Sequence, residues 1–190
     1  LSRRQRQMCI RDREVPFTQV HINDGFWLPR IETNRTVSIP SAFKECEKNG
    51  RFDNFAIAGG LKKGEHRGDF SFDDTDPYKV IEGASYSLAV KYDPQLDHYL
   101  DSVINIIAAA QEPDGYLTTC VTNKCERLSG WWGHSKWEKL NSHELYNSGH
   151  MYEAAVAHYR ATGKRTFLDV AIKNACLLYT SPSPRDYAAS

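Results

Sequence analysis

The stretch DPYKVIEGASYSLAVKYDPQLDHYLDSVINIIAAAQEPDG, residues 76–115, decides the fold. Asp76 followed by Pro77 reads as a helix start: a carboxylate able to cap free N–H groups, then a residue whose missing N–H costs nothing in a first turn. Tyr78, Ile81, Ser85, Leu88, Ala89 and Tyr92 recur at three and four, which predicts an amphipathic helix to about Tyr92. Asp93-Pro94 repeats the device. Leu96, Leu100, Val103, Ile104, Ile107 and Ala108 then predict a second helix that stops at the Pro113-Asp114-Gly115 turn. Two helices with almost no loop between them make a hairpin.

The same reading extends outward in both directions. Downstream, Ser142 is placed to cap a third helix through Leu145, Tyr152, Val156 and Tyr159, with Gly163 as its terminator. Thr166 is placed to cap a fourth, through Phe167, Leu168, Val170 and Ala171. Upstream, Glu32 to Lys48 is helical in pattern but meets Pro40, which predicts two pieces or a kink. Nearer the N-terminus, Val15, Phe17, Val20 and Ile22 alternate with polar residues up to Asn23-Asp24-Gly25, the pattern of a short strand or extended arm. Helix pairs with short connections and small residues at close-approach positions (Gly149, Ala154, Ala155) predict an all-α fold of stacked hairpins. A few hairpins leave one apolar face open, so a larger helical toroid or solenoid is expected, although an ordinary bundle has the same periodicity.

Among the 190 residues, 41% are hydrophobic and 25% charged, enough to build a core. Lys plus Arg (24) balances Asp plus Glu (24), so there is no global basic field for a nucleic-acid backbone or an anionic membrane surface. No apolar run approaches the roughly 18 residues of a spanning helix, and the chain reads as soluble. The five cysteines, Cys9, Cys46, Cys120, Cys125 and Cys176, are odd in number and form no CxxC, so they signal neither a disulfide framework nor a closed zinc site. Leu1 to Asp12 and Cys176 to Ser190 continue no neighbouring pattern. They resemble translated sequencing-adapter DNA, so residues 1–12 and 176–190 are expected to be non-native tails flanking a body of 13–175. Without them the body holds 19 basic and 22 acidic side chains, a mildly acidic balance.

Chemistry concentrates in a few places. Asp73, Asp74 and Asp76 precede a helix start, where partial positive charge favours anions, and N-capping accounts for Asp76 in full. A calcium loop starting at Asp74 fails, since its glycine and glutamate slots hold Lys79 and Ser85. In Asn141-Ser142-His143-Glu144-Leu145-Tyr146 the zinc-peptidase motif is absent, because Asn147 stands where its second histidine belongs. His143 and His150 lie two helical turns, about 10 Å, apart and cannot share one ion on a continuous helix. His143 near a helix N-terminus fits a sugar-binding histidine and a satisfied interior histidine equally well. Asp114 and Tyr116 sit in a turn that would face any cavity at that helix end. The tryptophans Trp131, Trp132 and Trp137 suit either sugar C–H faces or core packing.

Five blocks in one order carry a resemblance that no single block would: HINDGFWLPRIETNRTVSIPSAF, FDNFAIAGG, FDDTDPYKVIEGASYSLA, IIAAAQEPDGYL and SHELYNSGHMYEAAVAHYRATGKRTFLDVA. Across Val15 to Ala175 they resemble the N-terminal part of glycoside hydrolase family 127, the β-L-arabinofuranosidases. The resemblance implies a partial (α/α)6 toroid. It also implies retaining exo-hydrolysis of β-L-arabinofuranosides or related plant-type glycans, in which a zinc-bound cysteine thiolate attacks the anomeric carbon and a glutamate acts as acid and base. In the family, zinc, its glutamate and cysteine ligands and the acid/base belong to the downstream half of the toroid. No catalytic or metal-ligating residue and no cofactor is therefore expected here, nor turnover by this chain alone. By matching motif His143 corresponds to the family's sugar-contacting histidine, and Asp76, Asn54, Asp114 and Tyr116 lie in matching blocks as pocket-lining candidates. Pro77 departs from the aliphatic residue usual before the tyrosine. A non-catalytic helical sugar-binding or scaffold protein is the alternative from another class.

Overall fold

A computed structural model describes residues 15–180 and shows an all-helical chain, with no strand among the described residues. The alternating segment at its start is an arm: a short 3-10 turn at Phe17–Gln19, then extended backbone at Val20. The alternation finds no partner strand to complete a ladder. Instead Phe17 packs edge-on against Tyr86, ring centroids 4.9 Å apart. The expected turn at Asp24 starts a helix, because its Oδ1 accepts from the N–H groups of Phe26 (2.8 Å) and Trp27 (2.6 Å).

Helix α1 (Trp27–Thr33) runs through a π-helical turn, Asn34–Ser38, into α2 (Ile39–Lys48). Pro40 causes no break. It lacks a donor and its ring crowds the preceding turn, and the wider π turn just upstream absorbs both. A helix the periodicity did not show, α3 (Arg51–Ala58), buries Phe52, Asn54 and Phe55.

Helix α4 spans Thr75–Val90, so Asp76 lies inside it and is not its cap. Pro77 remains within the first turn, where no N–H is needed. Asp76 turns to Arg51, its Oδ2 2.9 Å from Nε. Asp74, just before the helix, makes no capping bond either. Its carboxylate is buried and accepts from the backbone N–H (2.7 Å) and hydroxyl (2.5 Å) of Thr119. Asp93 does cap α5 (Pro94–Ala109), accepting from Gln95 and Leu96 N–H groups. Two single-turn helices follow, α6 (Thr119–Thr122) and α7 (Ser129–Trp132).

Helix α8 (Glu144–Thr162) is preceded by His143 in the left-handed region, φ 61°, and Ser142 caps it only through a long contact, its hydroxyl oxygen accepting from the Glu144 N–H at 3.4 Å. The Ser142 hydroxyl donates to the Glu144 carboxylate at 2.5 Å, and that carboxylate faces inward, away from the helix end. Gly163, φ 75°, ends the helix as expected, its N–H bonded to the Tyr159 carbonyl at 2.8 Å. Helix α9 (Thr166–Thr180) contains Thr166 as its first residue and runs on through residues 176–180. The rest of the two expected tails, with Pro182 and Pro184, lies outside the described residues.

Helices α4 and α8 pack side by side along their length and run parallel: Lys79 meets Tyr146 at one end, while Tyr86 and Arg160 line one groove at the other. Small buried residues, Ala84 and Ser85 on one helix and Ala154 and Ala155 on the other, allow this approach. Helices α5 and α9 pack together as well. Between these helices lie Tyr78, Ile81, Leu100, Ile104, Ile107, Met151 and Phe167, all essentially inaccessible. A smaller cluster of Tyr116, Cys120, Val121, Cys125, Leu128 and Trp132 fills the region under the loops.

The turn after α5 is locked onto α9. Gln111 Nε2 donates to the carbonyls of Gly115 (3.0 Å) and Val170 (2.8 Å), and Asn174 Nδ2 donates to Gly115 at 2.8 Å. Gly115 has φ +101°, and a Cβ there would lie 2.6 Å from the Lys173 carbonyl oxygen. Gly115→Ala is expected to destabilise the chain by roughly 2–4 kcal/mol from backbone strain and clash. Thermal melts followed by circular dichroism check it, and a loss below about 0.5 kcal/mol would contradict the packing.

Burial pushes the Asp74 carboxyl up to about 6, against the two hydrogen bonds from Thr119 that favour its charged form. The folded chain therefore holds this proton more tightly than the unfolded one. The stability contributed by this group is therefore fully present below the ordinary carboxylate range near pH 4 and is lost as pH rises through about 6. The loss attributable to this group is of order 2–3 kcal/mol. Asp74→Asn is expected to flatten that part of the stability profile between pH 4 and pH 7, read from melts in matched buffers.

Candidate functional site

At the shared N-terminal end of α4 and α8, two loops, residues 59–74 and 129–143, fold over the helix starts. They are stitched to the core by polar bonds. The Ser71 hydroxyl donates to the Ser142 carbonyl (2.8 Å), Asn147 Nδ2 donates to the Ser71 carbonyl (3.3 Å), and Asn54 takes both the N–H (2.8 Å) and the carbonyl (2.7 Å) of Arg67. These bonds set down a group of rings around Phe72. Phe70 stacks on it at 5.0 Å and His143 lies 4.7 Å away; Trp131 and Tyr146 approach edge-on, each at 6.3 Å. Phe70, Trp131 and Tyr146 are partly open to solvent, so the rings form a surface cup and not a sealed core.

His143 is the polar member of this cup. Its Nδ1 lies 2.5 Å from the Asn141 carbonyl oxygen. A carbonyl only accepts, so Nδ1 must carry the hydrogen, and Nε2 makes no hydrogen bond within the described residues. The left-handed backbone that places the ring is costly for a residue other than glycine, of order 1 kcal/mol. It is held by the bonds of its neighbour Glu144. That buried carboxylate accepts from the Ser142 hydroxyl, from the Trp137 N–H (3.0 Å) and from the Tyr116 hydroxyl.

Beside the cup runs a charged cleft of about 330 Å³ lined by Glu45, Cys46, Arg51, Asp76 and Lys79. Arg51 bridges Asp76 (2.9 Å) and the buried Asp73 (3.0 Å). Burial raises the Asp73 carboxyl above its ordinary range, and Arg51 opposes that rise. Lys79 reaches across to the Tyr146 hydroxyl at 2.8 Å and so joins the cleft to the cup.

Of the residues singled out from sequence, His143 and Asp76 come to this one end of the helix pair. The other three have different surroundings. Asn54 is buried with its amide engaged by Arg67. Tyr116 is inaccessible, and its hydroxyl is pushed up by burial and by the Glu144 carboxylate that it supports. Asp114 accepts from the Tyr116 N–H at 2.9 Å and pairs with Lys136 at 2.9 Å on the locked turn. Phe70, Phe72, Lys79 and Tyr146 were not read as site residues. The period-two spacing of Phe70 and Phe72 around buried Ser71 is the one local sign of a loop with an inner and an outer face.

A family profile for the β-L-arabinofuranosidase GH127 catalytic domain matches residues 19–188. The chain is 39% identical over 135 residues to a non-reducing end β-L-arabinofuranosidase from Bifidobacterium longum subsp. longum, spanning 70% of this chain and 20% of that protein. A solved GH127 β-arabinofuranosidase superposes with TM-score 0.81 at 50% identity, over 90% of this chain and 27% of that one. A GH127 β-L-arabinofuranosidase from Geobacillus stearothermophilus T6 superposes with TM-score 0.80 at 38% identity, over 87% of this chain and 26% of that one. The chain therefore spans about a quarter of these relatives or less, and its hairpins match part of their helical toroid. No described helix is long and apolar enough to cross a membrane. In sequence and in helical architecture alike, the chain belongs to the GH127 β-L-arabinofuranosidase catalytic-domain family.

Proposed function

We propose that this chain supplies one wall of the sugar pocket of a retaining, exo-acting β-L-arabinofuranosidase, and that the reactive groups come from elsewhere in the toroid. The observation that carries the reading is the setting of His143: a half-buried imidazole among Phe72, Trp131 and Tyr146, one nitrogen tied to a carbonyl and the other without a partner among the described residues. A furanose ring offers C–H faces to aromatic planes and hydroxyls to a ring nitrogen, so this cup suits both halves of a sugar. Asp76 and Lys79, at the same end, add one acceptor and one donor for hydroxyls at the rim. Exo action at a terminal arabinose fits the Bifidobacterium relative, which is named for the non-reducing end.

A zinc ion held by a glutamate and several cysteines, the set implied by the family, does not fit the described residues. Their candidate ligand groups are His66 with Cys120 and Cys125, Glu82 with His150 and Glu153, and Asp97 with Asp101 and His158. None joins a glutamate to cysteines. This chain's part in the reaction is then to bind and orient the sugar, with the nucleophile, the acid/base and the catalytic zinc on other segments.

In a full-length enzyme carrying this sequence, His143→Ala is expected to lower kcat/KM on an aryl β-L-arabinofuranoside about 10- to 100-fold, the value of one or two hydrogen bonds to substrate. Phe72→Ala should act in the same direction. The 190-residue chain alone is expected to show no turnover. An unchanged kcat/KM for His143→Ala, or hydrolysis by the chain alone, would sink the proposal.

A further inference from the structure

At α6, beside the smaller apolar cluster, three soft or borderline metal ligands converge. His66 comes from the loop between α3 and α4, Cys120 from α6, and Cys125 from the turn after it. One ring nitrogen of His66 and the two Sγ atoms lie within 4.8 Å of one another. Both cysteines are buried, with 1% and 8% of their surface exposed, and neither is in a disulfide. His66 Nε2 is buried with no hydrogen-bond partner among the described residues, an expensive state for a polar ring atom. The other nitrogen, Nδ1, sits 3.3 Å from Asn123 Nδ2, which also donates to the Asn54 carbonyl at 3.0 Å. An amide NH2 only donates, so in the metal-free chain Nδ1 accepts and the ring hydrogen sits on Nε2; ligation through Nε2 moves that hydrogen to Nδ1 and releases the Asn123 contact.

We propose that His66, Cys120 and Cys125 bind one zinc ion that staples the loop carrying Phe70 and Phe72 to the loop after α5. Tetrahedral zinc with two sulfurs and a nitrogen brings those atoms to about 3.5–3.8 Å apart, so from separations within 4.8 Å the site closes by about 1.3 Å at most on loading. Two thiolates balance the charge of the ion. Binding therefore releases two thiol protons, and a water completes the fourth position. The neighbouring cations do not oppose it, since Arg51 is paired with Asp73 and Asp76, and Arg127 with Asp69 at 3.0 Å. The location also fits a structural ion. The apolar cluster around these thiols is small, and its flanking helices are single turns, where a metal substitutes for core that a short segment cannot build. Sequence spacing gave no hint of it, because His66 stands some fifty residues from the cysteines and the pair is not a CxxC.

The experiment uses the 190-residue chain, reduced and stripped of metal, with cobalt(II) and zinc(II) as probes. Cobalt is expected to give thiolate-to-metal charge-transfer absorption at one equivalent, bleached by zinc. Zinc is expected to release about two protons per chain and raise the melting temperature by several degrees. Cys120→Ser, Cys125→Ser and His66→Ala should each weaken zinc binding about tenfold or more. The double variant Cys9→Ser/Cys176→Ser should keep full stoichiometry, and circular dichroism of every variant separates lost binding from lost folding. No charge-transfer band from folded wild-type chain, or a band that persists in folded Cys120→Ser and Cys125→Ser, overturns the proposal. So does a Cys120–Cys125 disulfide in air accompanied by no metal binding when reduced. None of these readouts depends on glycosidase activity, so the site stands or falls separately from the arabinofuranosidase reading.

Discussion

A carboxylate removed from water must find donors, and Glu144 finds them in three separate places: the Tyr116 hydroxyl, the Ser142 hydroxyl and the Trp137 N–H. Because these donors lie on the turn after α5, on the approach to α8 and on the tryptophan-bearing loop, one buried charge holds together a long stretch of chain without regular structure. Asp74 does the same from the other side through Thr119. Between these two anchors the loops have little freedom, and the left-handed backbone of His143 follows from the bonds on either side of it. The ring cup therefore depends on buried polar geometry as much as on apolar packing.

Much of the architecture was legible. The Asp93-Pro94 start, the Gly163 stop and the three-and-four periodicity around both hairpins are local signals, and local physics decides them. The errors fall where several residues qualify for one role. Asp76 looks like a cap in a run of three carboxylates with Asp73 and Asp74, yet Arg51 and Thr119, distant in sequence, take all three carboxylates for other work. Ser142 accepts the first helical N–H only at 3.4 Å and gives its hydroxyl hydrogen to the Glu144 carboxylate. Helix α3 is too short for its period to stand out, and it begins after Gly50, whose own left-handed backbone masks the start.

The site was legible only in part, for a related reason. His143 lies in a dense motif and could be singled out. Its ring partners come from three segments, and no spacing rule connects Phe72, Trp131 and Tyr146. Asn54 and Tyr116 sit in the right neighbourhood but serve as supports: one fixes the loop bearing the phenylalanines, the other satisfies Glu144. A sequence block marks where constraint is concentrated. It does not tell a residue that touches a ligand from one that holds such a residue in place.

The π turn ahead of Pro40 has a geometric consequence of its own. Among the shielded positions, Ile31, Arg35, Ile39, Phe43 and Cys46 step mostly by four, a rhythm that drifts around an ordinary helix and soon points away from its neighbours. By fitting an added residue into one coil, the chain resets the angular phase midway. A single unbroken rod thus keeps one flank inward over two helices' length, with no linker to order and no joint to flex.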